Sequence, residues 1–547
     1  MNLAQVLSRG SFVRRNRKKA TVALALLATS FFSSVAVAQE RPVVTLSSID
    51  GGVELSGELK EIRDGLYVLE VQSLGVVEIQ IDRVQCVSGC EWLNPVDPKF
   101  AIYGSRTVGT TLIPNLLRGY AESVGASYEL VKTDDAAERM VILTNPDGSL
   151  RAEIDLQARG SGSAFTALAD GSADIGVADR RMKDSDMEKL AEAGLPDLRG
   201  TEEELVLGVD GIVIITHPDN PVQNLTSLEI SKIWAGEITN WLELGGGNVP
   251  ITVNSFGEGS GDRAVMLDAL VRPNGRDESA DVVRWSAYQD MVDAVMADRG
   301  GIGFVGRWLA RTNDVNLLAI RETCGLLSPP TDFRIKIEGY ALSRRLYAYT
   351  RPGTLNPEAQ AFLNWTLTKG AQKYVKESNF VDRELERMRL VDMGMMLIHT
   401  AAVEPDFNGD QYSDMMRQLR GADRLSVSFR FNPGSSNLDV ESIRNVQELA
   451  ARIDAGEFEG LEVLLVGFAD SIGRWTQNTR LAQSRANAVR DILTRSIQGG
   501  AATEVQLVPL SFGELLPLSC NDQEVGRARN RRVEVWLRLP NSRSTLR

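Results

Sequence analysis

Residues 103–111 read Tyr-Gly-Ser-Arg-Thr-Val-Gly-Thr-Thr, between the apolar run that begins at Phe100 and the helical pattern 112–124. A strand, a glycine-rich turn and a helix in this order are typical of α/β architecture with parallel strands. The alternation continues, for example in the strand pattern 212–216 and the helical pattern 227–235. Residues 97–385 are therefore predicted to form an α/β domain.

Two more loops of this domain have the same composition. Arg-Gly-Ser-Gly-Ser at 159–163 and Gly-Glu-Gly-Ser-Gly-Asp at 257–262 each precede a helical pattern. Glycine lets the backbone approach closely, hydroxyls donate hydrogen bonds, and a helix N-terminus presents free N–H groups with partial positive charge. Each loop alone fits an ordinary N-cap. Three of them in one domain favour an anion-binding pocket.

A fourth segment, Asp-Ile-Gly-Val-Ala-Asp-Arg-Arg at 174–181, adds charged residues after a predicted strand, where α/β sheets place ligand contacts. A surface salt bridge is the alternative for these charges. Together the motifs resemble the periplasmic phosphate-binding protein family of ABC uptake systems. The resemblance rests on Gly-Ser-x-Thr-x-Gly at 104–109, Gly-Ser-Gly-Ser at 160–163, Ala-Asp-Ile-Gly-Val-Ala-Asp at 173–179, Ile-Trp-Ala-Gly-Glu-Ile-Thr-Asn-Trp at 233–241, Gly-Ser-Gly at 259–261 and Leu-Ser-Arg-Arg-Leu-Tyr at 342–347.

That resemblance implies two α/β lobes closing over a tetrahedral oxyanion. The positions that match the family's ligand contacts are Ser105, Thr107, Ser161, Asp179, Ser260 and Gly261. A carboxylate at 179 would accept the proton of hydrogen phosphate and repel fully ionised sulfate.

The sequence departs from the family in the third loop. Residues 254–256 read Asn-Ser-Phe where the family often has an arginine, and Asp262 replaces a threonine, with Glu258 nearby. Carboxylates beside an anion pocket are unfavourable unless they point away or pair with a cation, for which Arg106, Arg159 and Arg263 are the candidates.

The C-terminal region holds a charged residue on an apolar helix face. Residues 461–468 form a strand pattern that ends just before Asp470, and residues 479–495 are helical by period. Arg485 lies four residues from both Leu481 and Val489 on the apolar face. Asp470 is its nearest candidate partner, either in a structural ion pair or in a site for a zwitterion.

Four motifs make residues 425–539 resemble the OmpA-like peptidoglycan-binding domain. They are Phe-Arg-Phe-Asn-Pro-Gly-Ser at 429–435, Gly-Phe-Ala-Asp-Ser-Ile-Gly at 467–473, Asn-Thr-Arg-Leu-Ala-Gln-Ser-Arg-Ala at 478–486 and Gly-Arg-Ala-Arg-Asn-Arg-Arg-Val-Glu at 526–534. The resemblance implies a β/α sandwich that binds the diaminopimelate of peptide stems, with Asp470 at its ammonium and Arg485 at its carboxylate. Departures are Phe468-Ala469 where the family often has His-Thr, and Ala482 where it has Ser.

The N-terminus predicts export. Residues 1–38 hold a basic stretch and an uncharged run that ends in Ala36-Val-Ala38, the layout of a cleavable secretory signal. An uncleaved membrane anchor is the alternative. Export permits disulfides, and Cys86 and Cys90 are predicted to pair across Ser88-Gly89, with a zinc site as the rival.

The remaining segments complete the predicted organisation. Residues 39–96 are predicted to form a small β module compatible with an SH3-like barrel, 386–424 a connector, and 540–547 a disordered tail. Cys324 and Cys520 lie in different predicted domains. The fold class is multidomain α/β and α+β, with a two-lobed binding-protein fold in the middle.

Composition narrows the functional classes. With 43% hydrophobic and 24% charged residues the chain fits soluble domains, and a formal net charge of -13 disfavours nucleic acid as a partner. Two histidines exclude a His-rich metal centre, so no metal and no cofactor are expected.

The sequence thus predicts a non-enzymatic solute-binding protein of the periplasm, associated with peptidoglycan or the outer membrane. Its expected partners are phosphate or a similar oxyanion, peptidoglycan and an ABC permease. The alternative is an envelope structural or interaction protein whose central domain no longer binds phosphate. A hydrolase using Ser105 or Ser260 comes third, because no general base or metal cluster accompanies these serines.

Overall fold

The computed structural model describes residues 13–14, 43–48, 53–63, 66–72, 74–89, 98–353, 355–394, 396–398, 408–431, 435, 438–498 and 505–540. The predicted signal peptide, apart from residues 13–14, and the tail after Pro540 lie outside these ranges. The chain forms two compact units, Met1–Asp97 and Pro98–Arg547. None of the helices in the described ranges has the length and apolar character needed to cross a membrane.

The first unit is an antiparallel sheet. Its strands are β1 Val13–Arg14, β2 Val43–Ser48, β3 Glu54–Arg63, β4 Leu66–Val71, β5 Gly75–Gln80 and β6 Val84–Ser88. Their order in the sheet is β1-β5-β4-β3-β2-β6. Alternate residues such as Val44, Leu46 and Leu69 fill a small core on one face. Cys86 in β6 is disulfide-bonded, and its predicted partner, Cys90, lies outside the described residues.

The second unit begins with an α/β region. Its strands are β7 Lys99–Gly104, β8 Ser127–Lys132, β9 Glu138–Thr144, β10 Leu150–Gln157, β11 Ile175–Ala178, β12 Glu204–Thr216, β13 Asn224–Thr226, β14 Thr252–Phe256, β15 Val283–Trp285, β16 Gly301–Gly306, β17 Asn316–Arg321, β18 Leu327–Ser328 and β19 Ser343–Thr350. Its helices are α1 Ile113–Ser123, α2 Ser161–Asp170, α3 Asp184–Glu192, α4 Ser227–Trp234, α5 Gly261–Met266, α6 Tyr288–Ala297, α7 Arg307–Ala310, α8 Asp332–Lys336, α9 Pro357–Thr366 and α10 Lys369–Glu377.

This region has two lobes with separate hydrophobic cores. The first lobe holds β7 to β11, α1 to α3 and the returning helices α9 and α10, and its core includes Phe100, Leu117 and Phe362. The second lobe spans residues 212–341, and its core includes Trp234 and Phe304. Strands β12 and β19 pair antiparallel from Glu204↔Tyr349 to Gly211↔Ser343 and run between the lobes. The predicted α/β architecture is confirmed here.

The C-terminal region is a five-stranded sheet with helices. Its elements are β20 Arg387–Arg389, α11 Gly409–Gln418, β21 Ala422–Arg430, α12 Val440–Asp454, β22 Glu462–Phe468, α13 Trp475–Ser496, β23 Gln506–Ser511, α14 Glu524–Asn530 and β24 Arg532–Arg538. The strand order is β20-β21-β24-β22-β23. The segment 386–424, predicted as a connector, supplies β20 and α11 to this region because Met393 and Met415 are buried beside Leu464 and Trp536.

Candidate functional site

The three glycine- and serine-rich loops line one cleft between the two lobes. Its cavity volume is about 300 Å³. The lining residues come from 105–106, 159–161, 257–261 and 285–288, together with Asp179. Five of the six predicted anion contacts, all except Thr107, are among them. The structure therefore brings the predicted loops together, while their ligand remains a prediction.

Parallel pairing explains why two of these loops meet. Strands β7 and β11 are parallel neighbours, so Ser105 and Asp179 follow adjacent carboxyl ends of the sheet. Gly104 is required at this point: its φ is 147°, and an added Cβ would lie 1.9 Å from the carbonyl oxygen of Val177. The backbone N–H of Ser105 donates to that same carbonyl at 2.8 Å.

Asp179 is the buried carboxylate of the cleft. The Ser161 hydroxyl donates to its Oδ1, and the Asp179 backbone N–H donates back to Ser161 Oγ at 3.1 Å. Burial acts to raise the pKa of Asp179, but the Arg344 guanidinium and the hydroxyls of Ser161 and Ser105 outweigh it and hold the pKa below its ordinary value. Asp179 is therefore ionised and able to accept a hydrogen bond from a ligand.

The other predicted contacts have specific positions. Ser260 is the N-cap of α5 and accepts from the Arg263 backbone N–H at 3.3 Å. A Cβ added to Gly261 would lie 2.9 Å from Asp179 Oδ1, so the third loop packs closely against this carboxylate. Thr107 is buried behind the cleft, with its Oγ1 3.1 Å from the hydroxyl of Tyr288 in the other lobe.

Arg344 lies in the motif at 342–347, and no role was predicted for it from the sequence. It is buried in β19 and contacts three buried aspartates, with nitrogen–oxygen distances of 2.8 Å to Asp210 and 3.2 Å to Asp179, and a direct ion pair to Asp262. Asp210 interrupts the apolar run 205–215, and such a lone carboxylate is a signal that a buried cation faces it. In the sheet Asp210 pairs in register with Arg344.

The arginine also joins the lobes. Asp179 belongs to the first lobe and Asp262 to the second, so Arg344 bonds to both across the bottom of the cleft. Arg106, Arg159 and Arg263 were the predicted candidate partners of the extra carboxylates. Instead Arg159 pairs with Asp135 at 2.8 Å and Arg263 with Glu278 at 2.8 Å. Asp262 pairs with Arg344 because sheet pairing places this arginine beside the start of α5.

The three aspartates around Arg344 differ in the direction of their pKa shifts. Desolvation, reinforced by Asp179 and Asp210, raises the pKa of Asp262 to about 6, although Arg344 opposes the shift. Burial likewise raises the pKa of Asp210. The three carboxylates in turn raise the pKa of Arg344 despite its burial, so the guanidinium stays charged.

Three of the four charged residues in the segment 174–181 form structural contacts. Arg180 pairs with Asp186 at 2.6 Å and Arg181 with Glu204 at 2.8 Å. Asp174 accepts from the Ala101 backbone N–H at 2.8 Å. Among the charged members of this segment, only Asp179 lines the cleft. The salt-bridge alternative therefore holds for both arginines.

The C-terminal site differs from a simple ion pair. Asp470 Oδ2 pairs with Arg531 at 2.8 Å, and no bond joins Asp470 to Arg485 in the described residues. Arg485 donates through Nε to the Ser435 carbonyl at 3.3 Å, and its guanidinium carbon lies 5.2 Å from the Phe431 ring centroid. Within the described ranges its two terminal nitrogens have no hydrogen-bond partner. Burial and Arg531 lower the pKa of Arg485 to about 10.

Known proteins resemble both parts of the second unit. The model of the PBP superfamily domain matches residues 135–369, and that of the OmpA family matches residues 430–531. Protein SphX of Synechococcus elongatus is 26% identical over 232 residues, covering 41% of this chain and 66% of SphX. Phosphate-binding protein PstS of Pseudomonas aeruginosa is 25% identical over 285 residues, covering 48% of this chain and 84% of PstS.

A solved structure resembles the C-terminal region. The peptidoglycan-associated lipoprotein from Burkholderia pseudomallei is 26% identical, with a TM-score of 0.18, and the match covers 20% of this chain and 89% of that one. The family models and relatives agree with the two resemblances drawn from the sequence motifs.

Proposed function

We propose, since the chain joins a PBP superfamily domain to an OmpA family domain, that it is a periplasmic solute-binding protein held at the cell wall. The central domain binds an oxyanion, with phosphate as the ligand. The C-terminal domain binds peptidoglycan through diaminopimelate. Export by the signal in residues 1–38 and delivery of the ligand to an ABC permease complete this role.

The observation that carries the proposal is the meeting of three helix-start loops around Asp179 in one cleft. Each loop presents backbone N–H groups and hydroxyls, and helices α2 and α5 start there. The ends of such helices attract negative charge. Several relatives, among them PstS of Pseudomonas aeruginosa, are named phosphate-binding proteins. Phosphate therefore suits both the geometry and the relatives.

Asp179 supplies the discrimination among oxyanions. One of its oxygens accepts from Ser161 and the other from Arg344, so the carboxylate is kept ionised as an acceptor. Phosphate and arsenate carry at least one proton near neutral pH and can donate to it. Sulfate has no proton to donate, so the Asp179 carboxylate would repel it.

Calorimetric titration of residues 39–547, called the mature chain because it lacks the predicted signal, with phosphate, arsenate and sulfate tests the proposal. We expect heat with the first two anions and none with sulfate. Asp179→Asn should weaken phosphate binding about 10- to 100-fold, the usual effect of losing a hydrogen bond to a charged group. Asp184→Asn, at a side chain that is 81% exposed, is the control and should bind as the parent does. No heat with any of the three anions contradicts the proposal.

The wall-binding half rests on Arg485. Its buried guanidinium has two nitrogens without a partner in the described residues, an arrangement that an incoming carboxylate would satisfy. Asp470 lies at the same site with Arg531 as its present partner. Diaminopimelate carries an ammonium and a carboxylate on one carbon, which complements one acidic and one basic side chain.

The role is binding without catalysis. The Ser260 hydroxyl is engaged as a helix cap, and the Ser105 hydroxyl accepts from the Val108 backbone N–H at 3.4 Å. The Ser105 hydroxyl also acts on Asp179, but the pKa of this carboxylate lies below its ordinary value, so Asp179 is a weak general base for activating a nucleophile.

A further inference from the structure

Asp262 is buried directly after Gly261, the last residue of the third loop that lines the cleft. It follows Ser260 and Gly261 in the first turn of α5, and its side chain is fully buried. Its Oδ1 pairs with Arg344, while its Oδ2 has no hydrogen-bond partner in the described part of the chain. A buried carboxylate oxygen without a partner is costly when ionised and is relieved by a proton.

The groups around Asp262 leave an excess of negative charge. Arg344 of β19 faces Asp262, Asp210 of β12 and Asp179 after β11, so one guanidinium serves three carboxylates. Tyr288 of α6 and Tyr340 beside Asp210 also act here, and both are neutral because burial raises their pKa far above the ordinary value. Arg307 of α7 interacts with Asp210 as well, but it pairs with Asp332 at 3.6 Å. The cluster carries two excess negative charges when all three aspartates are ionised.

The rim of the cleft does not reverse this balance. Outside the cluster, Arg106 and Arg159 line it together with Glu258. Arg159 is already paired with Asp135. An oxyanion entering the cleft therefore meets a buried negative cluster close behind Gly261, and like charges in a poorly solvated site repel strongly.

We propose that oxyanion binding at this site is coupled to uptake of one proton from solvent, which is held on Asp262. The proposal rests on the proposed oxyanion-binding function. Protonation removes one negative charge beside the ligand and supplies the hydrogen that Oδ2 can donate. The ion pair between Oδ1 and Arg344 weakens but keeps its hydrogen bond. The repulsion of the bound oxyanion is then smaller, and affinity rises as the pH falls.

Proton linkage determines the direction in which the affinity for the oxyanion changes with pH. Bringing an anion near Asp262 favours the protonated carboxyl, so the complex binds more protons than the free protein. Above the pKa of Asp262, a linkage of one proton lowers the association constant by about tenfold per pH unit. Phosphate also titrates in this range, so the comparison must separate the ligand's own proton from that of the protein.

The test compares the mature parent chain with Asp262→Asn, which keeps the size and hydrogen bonding of the side chain but cannot ionise. Phosphate is titrated at about pH 5.5 and about pH 8, in two buffers of different ionisation enthalpy. We expect Asp262→Asn to bind phosphate about tenfold or more tightly than the parent near pH 8, and about equally near pH 5.5. The parent should take up about one proton more per phosphate than the variant. Asp277→Asn, at a side chain that is 88% exposed, is the matched control.

The outcomes are separable. An identical pH profile and proton count in the parent and Asp262→Asn overturns the proton coupling while leaving oxyanion binding intact. Absence of phosphate binding in all three proteins at both pH values overturns the proposed function and this inference with it. Should Asp262→Asn fail to fold, as judged by circular dichroism, the proton count of the parent near pH 8 decides: uptake no greater than that of phosphate itself, in the parent and in Asp277→Asn alike, overturns the coupling.

Discussion

Arg485 and Asp470 differ in how their charges are satisfied in the structure, although the resemblance to the OmpA-like domain implies that both contact diaminopimelate. Asp470 already has a cation, Arg531, at 2.8 Å. Arg485 is buried against Phe431 with two nitrogens unsatisfied in the described residues. A buried guanidinium in this state is unfavourable in the free protein. A ligand carboxylate would therefore gain more from Arg485 than from any exposed arginine of the same helix.

This difference predicts the behaviour of the mature chain in co-sedimentation with purified sacculi. Arg485→Ala should reduce the bound fraction sharply, by about tenfold or more in affinity, since a charge-assisted bidentate bond is lost. Asp470→Ala should also weaken binding. Arg480→Ala removes an exposed arginine from the same helix and should leave co-sedimentation unchanged. Equal co-sedimentation of all three variants would refute the site.

Some residues of the candidate site could be predicted from the sequence, and others could not. Ser105, Ser161 and Asp179 were recognisable because glycine, hydroxyl and carboxylate residues cluster locally around strand ends. The role of Arg344 was not recognisable, because Asp210 is 134 residues away and the two meet only through the register of β12 and β19. The partner of Asp262 could not be inferred for the same reason.

Among the elements, the starts of α2 and α5 differ in how tightly they pack around the cleft. The start of α5 packs against Asp179, where a Cβ at Gly261 would lie 2.9 Å from Oδ1. The start of α2 is open: a Cβ at Gly162 would have no heavy atom within 4 Å. Two glycines in similar motifs therefore have different constraints.

A matched pair of alanine substitutions tests this asymmetry. Gly261→Ala should push Asp179 or the α5 loop aside and weaken phosphate binding about tenfold or more, because small displacements are costly in a preorganised site. Gly162→Ala should keep phosphate affinity and raise stability by about 0.5–1 kcal/mol, since alanine is the better helix residue. Calorimetry and thermal unfolding measure the two effects. Equal phosphate affinity in both variants would contradict the packing argument.

The elements themselves were largely predictable. Periodicity and turn residues predicted the strands near 43–46, 66–71 and 100–103, because these signals are local. The helix predicted from 112 begins earlier, because residues 108–112 already form a π-helix that leads into α1. The SH3-like barrel for 39–96 stays a prediction. The contribution of 386–424 to the C-terminal sheet was missed, since β20 is only three residues long and is stabilised by pairing with β21.

At the scale of the second unit, the C-terminal domain packs on both lobes. Glu322 of the second lobe accepts from the Ser519 hydroxyl at 2.6 Å, and Arg529 donates to the Ala341 carbonyl at 2.8 Å. Arg444 donates to the Thr201 carbonyl of the first lobe at 3.2 Å. The disulfide Cys324–Cys520 joins the second lobe to the C-terminal domain across 196 residues of sequence. Sequence spacing gave no basis for this pairing.

Removing that disulfide should destabilise the protein. A disulfide that closes a long loop reduces the conformational entropy of the unfolded chain. Losing it lowers the free energy of unfolding by about 2–4 kcal/mol. The double variant Cys324→Ser/Cys520→Ser should therefore unfold at a lower temperature than the parent in calorimetric scans. Reductant should lower the unfolding temperature of the second unit in the parent and have little effect on that of the variant. Coincident transitions for parent and variant without reductant would contradict this expectation.

If the three helix-start loops hold one oxyanion, a crystal structure of residues 39–547 grown with arsenate should show that anion in the cleft. Arsenic can be located by its anomalous scattering without reference to any coordinates. We expect one strong peak within hydrogen-bond distance of Ser105, Ser161 and Ser260, beside Asp179. An empty cleft at saturating arsenate, or a peak only at a site away from these loops, would contradict it.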